Sequence, residues 1–347
     1  MEPLSQLLER NAGRLETGEA VLWINPPPDA PWQGLAAGQV QLFCQDYRAA
    51  RRLEATGAEP EFGAFPELDP GHTGPVILSL PRSKARLQMM LQCLAAQWPA
   101  GGRLWLAGEL KAGIKSAKQP LTRCFESVTK LDAARHCVLF EARTALPAPP
   151  FTPEDWCSHW TINEADPPLD LASWPGVFAH GRLDEATALL LGHLPEIEPG
   201  ARALDLGTGC GVLGAWLARA HPETKVLMTD SDALALRSAR ETLRRNGLEA
   251  EVQAAHGFQH IEGRFDLIVS NPPFHQGHRT ESRMSMQLLA PVLNFLNPRG
   301  QLLMVVNRHI PYRKWLDEVF GHHEVLGSNA RYHVLRARLP GQTTHPD

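Results

Sequence analysis

The chain has 347 residues, 43% hydrophobic and 21% charged, which is enough apolar material for two domains of ordinary size and too much for a disordered chain. Its formal charge of −4 excludes a uniformly basic nucleic-acid coat, and no apolar run reaches the roughly 20 residues of a membrane-spanning helix. Met1–Arg10 carries acids and no apolar stretch, which predicts no secretory signal; the cysteines form no C-x-x-C pair and the histidines no metal-ligand spacing, which predicts reduced thiols, a cytoplasmic protein and no metal.

In chain order, Ala20-Val21-Leu22-Trp23-Ile24 predicts a first strand running into Asn25-Pro26-Pro27-Pro28-Asp29. Gln39–Asp46 predicts a second strand, followed by an Ala/Arg-rich helix up to Gly57. Pro75–Pro81 and Gly102–Leu106 predict two further buried strands, and Ala134–Leu139 another. From Arg103 to Arg135, seven basic residues stand against three acidic ones. Within this strip Lys111, Lys115, Lys118 and Arg123 are candidates for nucleic-acid phosphate contacts, with a solvated helix face as the alternative. Ala145–Pro153 is proline-rich and Asp166-Pro167-Pro168 follows it, so a domain boundary is expected near 146–168. The expected domains are 1–160 and 169–339, with a frayed tail at 340–347.

Beyond the boundary, strand and helix patterns alternate. Ala201–Leu206 predicts a strand ending at a glycine loop, and Val212–Ala220 a helix. Lys225–Thr229 predicts a strand, then Asp232–Asn246 a helix closed by Gly247. Phe265–Ser270 predicts a strand stopped by Pro272-Pro273. A helix over Ser285–Leu296, a strand over Gln301–Val306, a helix over Tyr312–Phe320 and strands at His323–Leu326 and Tyr332–Ala337 complete the pattern. Such alternation predicts an α/β fold, a mostly parallel sheet with helices on both faces. Strands of the first half recur in the same order in the second, which predicts duplication.

Two segments carry chemistry. Asp205-Leu206-Gly207-Thr208-Gly209-Cys210-Gly211 closes a strand and opens a helix, where glycines let the backbone approach a ligand. Asp230 ends the next strand, where a carboxylate can accept both hydroxyls of a ribose; a nicotinamide fold places an acid similarly. Asn271-Pro272-Pro273-Phe274 follows the fourth strand. Its prolines lack N–H donors, which leaves carbonyls and the Asn271 amide oxygen as acceptors for the two hydrogens of an exocyclic amine. Phe274 can stack on a base.

Together these segments resemble the amino-methyltransferase class that uses S-adenosylmethionine. Asn271-Pro272-Pro273-Phe274-His275-x-Gly277 resembles ribosomal RNA guanine-N2 methyltransferases. Pro175-Gly176-Val177-Phe178, Leu183-Asp184, Lys130–Cys137 and Gly108-Glu109-x-x-x-Gly113 extend the resemblance to the 16S (small-subunit) family, RsmC type. That family implies two Rossmann-like methyltransferase domains in tandem, the N-terminal one degenerate, with guanine 1207 of 16S rRNA as target and a monomeric protein acting on rRNA or the small subunit. By resemblance, Asp205, Gly207, Thr208, Gly209 and Gly211 line the cofactor's methionine part, Asp230 holds its ribose and Asn271 borders it. His256 faces its adenine, where an Asp or Asn is usual, and Phe178 with Leu183-Asp184 covers the site. Asn271, Pro272 and Phe274 hold the target base. Arg182 and Ala186 stand where glycines are usual. The 23S guanine-N2 enzyme is the first alternative, since Asn307-Arg308-His309 resembles it. DNA-adenine and protein-glutamine methyltransferases, a nicotinamide dehydrogenase and a non-catalytic RNA-binding protein are the others.

Overall fold

The computed structural model describes residues 1–15, 19–35, 39–69, 72–98, 102–163, 167–272 and 289–339. The chain divides into two units: Met1–Cys157 with Trp174–Gly176, and Ser158–Ser173 with Val177 onward. The expected tail at 340–347 lies outside the described residues.

In the first unit, helix α1 (Pro3–Arg10) precedes strands β1 (Val21–Ile24) and β2 (Val40–Cys44), helix α2 (Tyr47–Glu54) and the short β3 (Glu61–Phe62). Strand β4 (Val76–Ser79), helix α3 (Lys84–Gln97), strand β5 (Arg103–Glu109), helix α4 (Lys118–Cys124) and strands β6 (Phe125–Ala134) and β7 (Cys137–Ala145) follow. The sheet order is β3-β2-β1-β4-β5-β7-β6. Both faces are buried, and the period of two assigns each residue to one of them. Leu22, Ile24, Leu78 and Leu106 pack on one side, Trp23, Ile77 and Trp105 on the other.

The second unit opens with an antiparallel hairpin, β8 (Ser158–Ile162) and β9 (Leu169–Ser173). Helix α5 (Glu185–Leu191), strand β10 (Arg202–Leu206), helix α6 (Val212–Ala220), strand β11 (Lys225–Asp230), helix α7 (Ala233–Asn246) and strand β12 (Glu251–Ala254) follow. The unit ends with β13 (Phe265–Ser270), α8 (Val292–Phe295), β14 (Leu296–Asn307), α9 (Tyr312–Phe320), β15 (Glu324–Ser328) and β16 (Tyr332–Arg338). Its order, β12-β11-β10-β13-β14-β16-β15, repeats that of the first sheet strand for strand. The described residues thus form the tandem α/β fold expected from the sequence.

Three details differ from the sequence reading. The expected helix over Ser285–Leu296 is described only from 289 onward, where it is the single turn of α8. Leu296 already pairs with Phe265 across the sheet and is fully buried, so β14 begins five residues before the expected Gln301. The β8–β9 hairpin occupies part of the expected linker, held on α7 by side chains. Asn246 accepts from the Asp170 amide at 3.0 Å, and Thr242 Oγ1 accepts from the Ala172 amide at 3.1 Å. Finally, Arg103 does not belong to an exposed basic strip. Its Nε donates to the buried Glu141 at 2.6 Å, and its guanidinium lies 5.3 Å from the Trp105 ring centroid. Burial alone would raise the Glu141 carboxyl, but hydrogen bonds from Arg143, Arg103 and Trp105 bring it down to about 2. Lys111, Lys115, Lys118 and Arg123 remain exposed along the run from the end of β5 through α4.

Candidate active site

The site is assembled where β10, β11 and β13 end. Parallel strands finish at one edge of a sheet, and the loops leaving that edge can converge on a ligand. Gly207 and Thr208 both donate backbone N–H bonds to the Thr229 carbonyl, at 2.9 and 2.8 Å. Gly209 has φ +57, and its N–H donates to Asp230 Oδ2 at 2.9 Å. A Cβ on Gly207 or Gly209 would meet nothing within 4 Å, so the space in front of the loop is open. Gly211 is constrained on its other side: φ is +89, and a Cβ would press on Met228 at 2.9 Å and on Ala239. That close approach lets α6 start directly behind the loop.

Asp205 is buried beneath the loop. Its Oδ2 accepts from Thr208 Oγ1 at 2.6 Å and from the Gly214 amide at 2.8 Å, whereas its buried Oδ1 has no partner among the described residues. The Thr208 hydroxyl is therefore committed to Asp205. Asp230 accepts from the amides of Gly209 and Asp232. Burial pushes both carboxyls up to about 6, against which their hydrogen bonds act only partly. Two desolvated carboxylates beside an open glycine loop suit a ligand that brings hydroxyl donors and a positive charge. S-adenosylmethionine offers both in its ribose and its sulfonium. His256 is half-buried two residues beyond β12, the strand next to β11.

Asn271 follows β13 directly. Its Nδ2 donates to Thr187 Oγ1 at 2.9 Å and to Asp184 Oδ2 at 3.2 Å. The same Asp184 oxygen caps α5 by accepting from the Ala186 and Thr187 amides, and Thr187 Oγ1 lies 3.4 Å from it. A carboxylate offers no proton, so the Thr187 hydroxyl points its hydrogen at Asp184 and leaves a lone pair for the Asn271 N–H. This order fixes which way the amide faces. Asn271 Oδ1 is turned away, buried and without a partner among the described residues. Pro272 is buried beside it. Pro273, Phe274, His275 and Gly277 lie outside the described residues.

The β9–α5 connection carries Phe178, which is 60% exposed. His180 anchors this connection, Nδ1 meeting Ser173 Oγ at 2.7 Å and Nε2 meeting Ser158 Oγ at 3.2 Å; burial lowers its pKa and favours the neutral ring. The geometry thus brings together Asp205, Thr208, Gly209 and Asp230 on one side, and Asn271 with Pro272 on the other. It adds Thr187, which sequence reasoning missed. The available signal was the spacing Asp184-x-x-Thr187 at a helix start. Among the described residues no group of acidic, His and Cys side chains could hold a metal, and no helix is long and apolar enough to cross a membrane.

A glycine loop on the first strand, a carboxylate ending the second and an Asn-Pro turn ending the fourth define an S-adenosylmethionine-dependent methyltransferase. The methyltransferase small domain model matches residues 168–336, and the model of its N-terminal partner domain matches 5–160. Curated relatives are the ribosomal RNA small subunit methyltransferases C of Stutzerimonas stutzeri, 37% identical over 97% of this chain and 99% of that one, and of Hahella chejuensis, 34% identical over 96% and 97%. Among solved structures, the T. thermophilus 16S rRNA N2 G1207 methyltransferase in complex with AdoMet and guanosine is similar at a TM-score of 0.82, with 26% identity over 97% of this chain and 92% of that one. The chain belongs to the ribosomal RNA small subunit methyltransferase C family.

Proposed function

We propose that this protein transfers a methyl group from S-adenosylmethionine to the exocyclic N2 amine of a guanine in 16S rRNA, with guanine 1207 as the position. The observation that carries the reading is the buried Oδ1 of Asn271, without a partner among the described residues and fixed by Thr187 and Asp184. An unsatisfied buried acceptor costs about 1–3 kcal/mol, and an incoming N–H removes that cost. The guanine amine has two hydrogens. Asn271 Oδ1 accepts one and the Pro272 carbonyl the other, which aims the nitrogen at the bound cofactor. The cofactor supplies an activated methyl on a sulfonium sulfur. As the N–C bond forms, the S–C bond breaks and its electron pair stays on sulfur. The methylated nitrogen then releases its proton to water, so the chain contributes position and orientation and needs no strong base. Asp230 holds the ribose, Gly207, Gly209 and Gly211 let the methionine part approach, and Asp205 secures the loop. His256 borders the adenine, Phe178 covers the site, and Phe274 stacks on the base.

The first unit is proposed to recruit RNA through Lys111, Lys115, Lys118 and Arg123 and to bind no cofactor. A cytoplasmic location, in keeping with six free cysteines, and a monomeric state belong to the same reading. Labelled cofactor with naked 16S rRNA, 30S and 50S particles, followed by nucleoside analysis, tests it. N2-methylguanosine should form in small-subunit RNA; label confined to 50S particles or to another nucleoside would overturn the reading.

A further inference from the structure

A second concave feature lies at the same sheet edge as Asn271, one strand away. A cavity of about 390 Å³ is bounded by Arg308 at the end of β14, Arg313, Lys314 and Asp317 on α9, His323, and His333 on β16. Ser270 pairs with Met304 across β13 and β14. The backbone of Arg308 therefore lies one strand spacing, about 4.8 Å, to the side of Asn271 and about 10 Å further along.

The lining is strongly one-signed. Arg308 donates to the Asn329 carbonyl at 3.2 Å, a neutral acceptor, and no acid pairs with it among the described residues. Arg313 donates Nε to His323 Nε2 at 3.1 Å, and His323 Nδ1 meets Asp317 at 2.5 Å. Asp317, the single acid among these lining residues, accepts from the ring and so orients the guanidinium through it, which leaves three cations against one acid in the lining. Lys314 lies 3.8 Å from Glu318, both largely exposed, a pairing worth little in water. Burial first, and then the Arg308 and Arg313 charges beside it, hold the His333 pKa below the usual range.

We propose that this cavity is a phosphate subsite for the RNA backbone next to the target guanine, with Arg308, Arg313 and Lys314 as its donors. The inference rests on the methyltransferase reading of the neighbouring site. Two guanidiniums and an ammonium match the oxygens of a phosphodiester, and contacts of this kind set register without reading sequence. Removing them should weaken RNA binding and its salt dependence together.

The test uses the full chain with Arg308→Gln and Lys314→Gln combined, and with Lys314→Glu alone as an exposed control of the same sign. In the double variant, Kd for 16S rRNA should rise about tenfold at low salt. The slope of log Kobs against log salt should fall by about 1.4, two contacts at about 0.7 each. Calorimetry should give unchanged S-adenosylmethionine affinity, and Lys314→Glu should lower RNA affinity in the same direction. A double variant that methylates with wild-type RNA affinity and salt slope overturns the subsite alone. A wild type that methylates no guanine in any RNA overturns the site reading and the subsite with it. Selective inhibition by inorganic phosphate over chloride at equal ionic strength, with an unchanged RNA slope, assigns the cavity to a free anion and also overturns the proposal.

Discussion

The orientation of the Asn271 amide is the most exposed point of the mechanism, and Thr187→Val tests it. Valine keeps the size and branching of threonine but removes the hydroxyl that accepts the Asn271 N–H at 2.9 Å. The remaining acceptor, Asp184 Oδ2 at 3.2 Å, already takes two backbone amides. A buried N–H without its partner costs about 1–3 kcal/mol. Because Asp184 still holds part of the amide, the lower end applies, about 1.4 kcal/mol, or tenfold in rate. The amide would then turn over in a fraction of molecules and present N–H to an incoming N–H. We expect kcat to fall about tenfold with S-adenosylmethionine affinity unchanged within twofold, and Thr187→Ser, which keeps the lone pair, to restore most of the rate. Single-turnover methylation with saturating cofactor and calorimetry on the same preparations measure both quantities. A Thr187→Val enzyme at the wild-type rate, or a serine variant as slow as the valine one, would refute the reasoning.

Asn271→Ala removes the acceptor itself, so transfer should fall by about 10²-fold or more, as when one preorganised group is lost from a transition-state site, with cofactor binding retained; wild-type turnover would remove Asn271 from the mechanism. Asp230→Ala loses the proposed ribose acceptor and the Gly209 tether, and calorimetry should show weakened cofactor binding. For pH, the raised values of Asp205 and Asp230, about 6 against 3.8, mean that the cofactor-free fold gains stability as pH falls from 6 towards 4 and loses it as pH rises through that window; thermal unfolding checks the sign. Cofactor binding runs the other way: at pH 5 affinity should be about tenfold weaker than at pH 7.5 for each carboxylate required ionised, and a flat profile would remove them from the site. Changing Lys111, Lys115 and Lys118 together to Glu should weaken RNA binding, most clearly at low salt, without altering cofactor affinity; equal RNA affinity and salt slope would make them a solvated face.

Much of the fold was legible because the second unit's signals are local. Helix α7 is bounded by Asp232, whose side chain accepts from the Leu234 amide, and by Gly247 at φ +61, both readable as caps. Strand β13 carries the apolar run Leu267-Ile268-Val269 and stops two residues before Pro272. Elements that long-range pairing creates were not legible. Strand β12 is Glu251-Val252-Gln253-Ala254, an edge strand with no fully buried residue and hence no apolar signal. The β8–β9 hairpin sits among prolines and is held by α7 residues 70 and 76 positions away. In the site, Asp205, the glycines, Asp230 and Asn271 were legible as strand-end residues. Thr187 was not, because its contact with Asn271 spans 84 positions. The basic strip was over-read at Arg103 for the same reason: only the fold brings Glu141 to it.

Register explains why one copy can bind a cofactor while the other is argued not to. Asn25 donates its backbone N–H to the Phe43 carbonyl at 2.7 Å, as Gly207 does to Thr229. Ile24 pairs with Phe43 as Leu206 pairs with Thr229. Asn25 thus stands at the place of Gly207, and its φ of +53 shows that the turn itself survives. Its side chain closes the space, however: Oδ1 accepts from the Gln45 amide at 2.8 Å and Nδ2 donates to Gln45 Oε1 at 3.0 Å. One residue after Phe43 comes Cys44, fully buried, where the other copy has Asp230. Ile24 also pairs with Leu78, which puts Ser79, and not the Leu80 that a sequence match by prolines selects, at the place of Asn271. Ser79 accepts from Trp23 Nε1 at 3.2 Å, so its oxygen is spent inside the unit. A one-residue slip in a strand exchanges its faces, so only the paired register could make this assignment. The proposed ribose acceptor is replaced in the first unit by a buried thiol, and the open loop and the proposed amine acceptor by side chains whose partners lie within the unit. Restoring any one of them would leave the other two missing, so single substitutions such as Cys44→Asp should yield no cofactor binding there; calorimetry on the full chain should still fit a single site.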